Sequence, residues 1–120
     1  MSKSHRLGNQ GEAMALRFLE MCGYTCLDQQ YRKQTGEIDL IVRRGDTIVF
    51  VEVKTRGPRA LAPPEDWVDA KKQSRMVATS RHWMYDNDLK GVCEFRFDVV
   101  GIEFFGLDQG MKINHLAGII

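Results

Sequence analysis

Cysteine is scarce and unpaired in this chain. Cys22, Cys26 and Cys93 form an odd set without CxxC spacing, which argues for reduced thiols in a cytoplasmic protein and against a disulfide framework. No second cysteine pair or nearby histidine completes a zinc site, so Cys22 and Cys26 read as buried structural residues. Long apolar runs are missing as well. None approaches the ~20 residues that cross a bilayer, and the basic start Met1 to Gly8 leads into no apolar segment of the kind a secretory signal carries. A membrane partner is therefore not expected. The sequence also lacks internal repeats, low-complexity tracts and any large charge excess: its net charge is +1. With 120 residues it has room for one hydrophobic core, and residues 1–120 read as a single domain.

What is present is concentrated in one stretch. Residues 38–43 and 47–55 are β-branched runs separated by turn chemistry at Arg44-Gly45-Asp46. A two-residue loop at Gly45-Asp46, with glycine first, pairs Arg44 with Thr47. That register sets Asp39 opposite Glu52, and Glu37 opposite Lys54. A four-residue loop keeps it, whereas a three-residue loop sets charges against the apolar face. Ile38, Leu40, Val42, Val49, Val51 and Val53 then share one apolar face. The other face carries Glu37, Asp39, Ile41, Arg43, Ile48, Phe50, Glu52 and Lys54, partly open beside a helix. Residues directly opposite have Cβ atoms about 4.5–5.5 Å apart, where like charges repel. A hard divalent cation such as Mg²⁺, bound by one or two carboxylates with waters retained, is one reason to place two acids there. The other is a surface ion-pair ladder in which Lys54 and Arg43 offset the acids. Charge distribution adds a hint: residues 54–81 carry +4 and the remainder −3, so positive charge follows the acidic hairpin directly.

Around the hairpin, residues 7–22 read as a first helix with Gly23 as its stop, and Glu12 in its early turns. Residues 24–32 read as a strand. Gly57, Pro58, Pro63 and Pro64 mark a loop. A long helix is predicted from Pro64 or Glu65 to about Tyr85, with a partly apolar face at Trp67, Ala70, Val77 and Met84. Residues 92–102 alternate as a further strand, and the tail from Met111 adds a short one. The order α-β-β-β-α-β(β) implies an α/β fold with a central mixed sheet flanked by helices. Asp98 falls in a strand near the core, where it satisfies backbone or arginine groups. Trp67 and Trp83 read as core, Tyr31 as a half-buried strand aromatic, and the scattered His5, His82 and His115 carry no assigned chemistry.

Gly11-Glu12-Ala13 at the first helix, Gly36-Glu37-Ile38-Asp39-Leu40-Ile41, and Val49-Phe50-Val51-Glu52-Val53-Lys54-Thr55-Arg56 together resemble the signature of the YraN-like proteins, a bacterial group of predicted endonucleases. The likeness runs from about Leu7 to Ile102 and includes Arg96-Phe97-Asp98-Val99-Val100. It implies the restriction-endonuclease-like fold and the PD-(D/E)xK superfamily, with Ile38 in place of the proline and the motif resting on Asp39, Glu52 and Lys54.

By position, the resemblance implies catalytic roles for Glu12, Asp39, Glu52 and Lys54. Mg²⁺ or Mn²⁺ would be held by Asp39, Glu52 and the backbone carbonyl of Val53, with Glu12 contributing directly or through water. Lys54 would orient the attacking water or stabilise phosphate charge. Arg56, Arg59, Lys72 and Arg75 would grip flanking phosphates without reading bases, with Glu37 and Gln73 in support. The implied activity is metal-dependent hydrolysis of DNA, branched or single-stranded DNA included. Homodimers and partner proteins of DNA processing are the assemblies the resemblance allows. A non-catalytic nucleic-acid-binding adaptor in repair, recombination or uptake is the competing reading. A third is an interaction protein whose acids bind no metal. Glu12 also has a plain reading, as an early-helix acid that suits the helix dipole.

Overall fold

Apolar strands from the middle of the chain form the centre of the molecule. The computed structural model describes residues 3–57, 68–106 and 110–120. In chain order these form α1 (Lys3–Met21), β1 (Thr25–Lys33), β2 (Gly36–Arg44), β3 (Thr47–Arg56), α2 (Ala70–Asp86), β4 (Glu94–Phe104) and β5 (Met111–Leu116). The strands make one mixed sheet in the order β1-β2-β3-β4-β5. Only β3 and β4 run parallel, because the segment between them, which contains α2, supplies the crossover that parallel neighbours need. The expected mixed sheet flanked by helices is borne out, including the strand in the tail.

Both faces of the sheet are covered. On one face, Ala15 and Leu19 of α1 pack with Leu40, Val42, Val49, Val51 and Val100. On the other, Trp83 of α2 packs with Ile38, Ile41, Ile48 and Phe50. Strands dry on both sides read as continuous apolar runs, which is why residues 38–42 and 48–51 alternate so weakly. The Phe50 ring meets Trp83 edge-on at 5.8 Å and stacks on Phe97 at 5.3 Å. At the end of α1, Gly23 adopts φ +94°, and the Tyr24 N–H reaches back to the Leu19 carbonyl.

Several expectations need correction. Helix α2 starts at Ala70, where the Asp69 side chain accepts from the Lys72 N–H at 2.8 Å and caps it, so one unbroken helix from the expected start at Pro64 or Glu65 is not formed. Glu65, Asp66 and Trp67 lie outside the described residues. The buried stripe of α2 is Met76, Thr79, Ser80 and Trp83, whereas Ala70 is exposed and Val77 and Met84 are half-buried. Thr79 and Ser80 can be buried because their hydroxyls are satisfied, by Thr35 Oγ1 at 2.8 Å and the Val77 carbonyl at 2.6 Å. Cys22 is exposed and Cys26 half-buried, not core residues; Leu19 and Tyr24 fill the interior at that helix end. Ile38 lies on the α2 face and not with Leu40, for a reason given below.

Asp98 is fully buried and has the role its strand position suggests. It accepts from Arg96 Nε at 2.8 Å and Nη2 at 2.9 Å, from the Gly118 N–H at 3.0 Å, and bonds His115 Nε2 at 2.7 Å. Burial opposes its charge, but the bonds from His115, Arg96 and Gly118 together outweigh it and hold its carboxyl below the usual range. This network fastens β5 and the tail to β4. Among the described residues, no helix is long and apolar enough to cross a membrane.

Candidate metal and phosphate site

The hairpin register is the predicted one, and it fails at an informative place. Gly45, at φ +63°, turns the chain so that Arg44 pairs with Thr47, and pairing continues to Leu40 and Val51. In an antiparallel ladder hydrogen-bonded pairs alternate, so continued pairing would have Val53 exchange bonds with Ile38. Instead the Val53 N–H donates to Asp39 Oδ2 at 2.8 Å. The Asp39 carboxylate thus replaces the strand partner and the ladder stops. Ile38, released from β3, turns toward α2, where it packs with Ile41 and Trp83. A strand residue's N–H and carbonyl project to the same edge, so the Val53 carbonyl also faces the opened edge beside Asp39.

Glu52 stands in the same opening. Its side chain is only 5% exposed. Lys54 Nζ lies 3.5 Å from Oε1 and Lys72 Nζ 3.5 Å from Oε2. Oε2 is nonetheless buried without a hydrogen-bond partner, so the Lys72 contact is electrostatic and long. Burial, then the Glu52 charge, push the Asp39 carboxyl up to about 8 against the stabilising Val53 bond, with smaller contributions from Glu12 and Glu37. Two carboxylates share one partly dry opening, where burial and mutual repulsion disfavour the charged form of Asp39 and Glu52 holds an unsatisfied oxygen, an unfinished electrostatic arrangement.

Glu12 reaches this region because α1 crosses β3 closely. Gly11 is buried, and a Cβ built there would run into Thr55 Cγ2. Glu12 Oε2 accepts from Gln30 Nε2 at 2.9 Å. Among the described residues, no three His, Cys, Asp or Glu side chains gather as a metal cage, so Glu12 does not close a third ligand position with Asp39 and Glu52, although its charge is felt at Asp39. Glu37 ion-pairs with Arg32 at 3.1 Å on the β1 side, so the expected Glu37–Lys54 pairing is not formed; Lys54 turns to Glu52. Lys72, expected among the flanking phosphate contacts, points into the site. Gln73 is a structural support: its Nε2 donates to the Val68 carbonyl at 3.2 Å. Arg75 is exposed one turn beyond Lys72, Arg56 ends β3, and Arg59 lies outside the described residues. Sequence reading missed Gln30 altogether, since nothing in Gln29-Gln30-Tyr31 marks a departure from a regular strand.

Residues 11–102 match the uncharacterised protein family UPF0102. The chain belongs to the UPF0102 family. A UPF0102 protein of Chloroflexus aurantiacus is 41% identical over 97 residues, covering 81% of this chain and 78% of that one. One of Alkaliphilus oremlandii is 38% identical over 112 residues, covering 92% and 94%, and one of Vibrio parahaemolyticus is 35% identical over 115 residues, covering 96% and 92%. The matched span of the UPF0102 chain contains Gly11, Glu12, Asp39, Glu52, Lys54 and Lys72. Among solved structures, Pyrococcus furiosus SfsA in complex with Ca²⁺ is similar at a TM-score of 0.45 and 14% identity, over 94% of this chain and 64% of that one. A likeness of that depth says nothing about what this chain binds.

Proposed function

We propose that this UPF0102 protein is a divalent-cation-dependent endonuclease with a restriction-endonuclease-like, PD-(D/E)xK arrangement, hydrolysing phosphodiester bonds in DNA in a cytoplasmic setting, branched or single-stranded DNA included. The observation that carries this reading is Glu52 Oε2, buried without a hydrogen-bond partner in the opening that holds Asp39. A hard cation fits that donor set: Asp39, Glu52 and the Val53 carbonyl are all oxygen donors, and a bound cation would favour the ionised Asp39 that burial disfavours. Mg²⁺ or Mn²⁺ held there would supply Lewis acidity to the scissile phosphate and a more acidic water.

The chain's own residues do the rest. Asp39 holds the strands apart through the Val53 N–H, which keeps the Val53 carbonyl facing the opening. Lys54 and Lys72 bring two ammonium groups to opposite oxygens of Glu52; a phosphate entering the site would receive them as donors, and compact point charges suit that role. Arg75, on the exposed side of α2, Arg56 at the end of β3, and Arg59 three residues on in sequence, would contact neighbouring phosphates, positioning the strand without reading sequence.

One observation favours a second reading. Glu52 already lies between two lysines at 3.5 Å, an ion cluster that needs no metal, as in a DNA-binding adaptor without catalysis. Cleavage of labelled duplex, single-stranded, flapped and four-way-junction DNA in Mg²⁺ or Mn²⁺ separates the two. Cutting by wild type, abolished in Asp39→Asn and Lys54→Ala, is the expected result. Salt-sensitive binding by all three proteins without cutting would overturn the nuclease in favour of the adaptor.

A further inference from the structure

Gln30 is the one non-glycine residue with positive φ among the described residues, at +50°. That left-handed conformation brings Cβ close to the backbone, and side chains other than Asn and Asp rarely adopt it. It occurs inside β1, between the partners Gln29–Leu40 and Tyr31–Ile38, and so directly across from Asp39. Gln29 and Gln30 are both exposed where a regular strand would alternate, the mark of a backbone turned at this residue. The turned side chain ends on Glu12, whose Oε2 it holds at 2.9 Å. Asp39 therefore has an irregularity on each side: the broken ladder to β3, and a strained residue in β1.

We infer that Gln30 is a positioning residue of the Asp39–Glu52 site, its left-handed backbone carrying the carboxamide to α1 so that Glu12 stays beside Asp39 as a third negative charge for the cation. The inference rests on the cation reading above. Strain in an observed outlier is a pointer to function, and here it joins β1, the neighbour of the strand that carries Asp39, to α1, which packs closely on β3. Gly11 brings α1 in against Thr55, and Gln30 then fixes where the neighbouring Glu12 carboxylate sits.

The test is Mn²⁺ binding by calorimetry beside thermal denaturation, for wild type, Gln30→Gly, Glu12→Gln and the double variant. Glycine adopts φ +50° freely, so Gln30→Gly removes the carboxamide while relieving the backbone. The expected result is an unchanged or raised melting temperature with Mn²⁺ affinity weakened about fivefold, the weight of one ordinary hydrogen bond. In the Glu12→Gln background the Gln30→Gly change should weaken binding no further. Wild-type affinity in Gln30→Gly overturns the inference, whichever way stability moves, and so does an equal loss with and without Glu12. Absence of Mn²⁺ binding by wild type is a different result, and overturns the cation reading itself.

Discussion

Replacing Asp39 by asparagine makes stability against pH a readout of the site. The folded protein holds the Asp39 proton up to about pH 8, while the unfolded chain releases it near pH 3.9. Below about pH 4 both states are protonated and the residue costs nothing. From there to about pH 8 the unfolded state gains by ionising, at about 1.4 kcal/mol per pH unit, and beyond that the penalty is full. The whole interval amounts to a ceiling on the order of 5 kcal/mol. Half of it, roughly 2–3 kcal/mol, is still a large share of the 5–15 kcal/mol that separates a folded domain from its unfolded chain. Asparagine keeps an acceptor for the Val53 N–H and cannot ionise. In chelator, Asp39→Asn should match wild type near pH 4 and exceed it by roughly 2–3 kcal/mol at pH 8. In urea that is a midpoint higher by about 1 M. Urea midpoints that move together from pH 4 to pH 8, or a less stable variant at pH 8, would mean that ionising Asp39 costs the folded protein nothing.

Three further predictions concern the frame and the charges around the site. Gly11→Ala gains up to about 1 kcal/mol of helix propensity but drives a methyl into Thr55; a net loss of about 1–2 kcal/mol is expected by thermal denaturation, restored when Thr55→Ser removes the opposing methyl. Arg96→Met takes the paired cation from the fully buried Asp98 and should cost about 3 kcal/mol at pH 7. Because the Asp98 carboxyl is held below its usual range, its contribution is present above about pH 4 and fades as pH falls through the depressed value, so urea midpoints of variant and wild type should converge in acid. Lys72→Met removes the cation 3.5 Å from Glu52 Oε2; Mn²⁺ should bind at least as tightly by calorimetry while single-turnover cleavage slows by roughly tenfold or more. Equal effects on both would place Lys72 outside the chemistry.

The parts legible in the sequence were those set by parity and turn chemistry. The two-residue turn at Gly45-Asp46 and the β-branched runs fixed which residues of the hairpin face each other, down to Leu40 and Val51. Among the described residues, five strands and two helices in the expected order followed from alternation, helical spacing and glycine stops. What escaped depends on contacts that patterns do not encode. A side chain taking a backbone donor, as Asp39 takes the Val53 N–H, ends a ladder that alternation would continue. Satisfied hydroxyls let Thr79 and Ser80 enter the core, so the buried stripe of that helix lies beside the one hydropathy marked, with Val77 and Met84 at its half-buried edge. The capping reach of Asp69 sets where α2 begins. Lys72 read as one of several basic residues on a helix, and only the packing of α2 over the sheet aims it at Glu52.

Manganese soaked into crystals of the wild-type protein, located by its anomalous scattering, would show whether the opening beside Asp39 holds a cation. One peak is expected in the opening between β2 and β3, with Asp39, Glu52 and the Val53 carbonyl as its protein ligands and Lys72 displaced from Glu52 Oε2. A map without a peak there, with both lysines still on Glu52 at a Mn²⁺ concentration that supports no DNA cleavage, would contradict it.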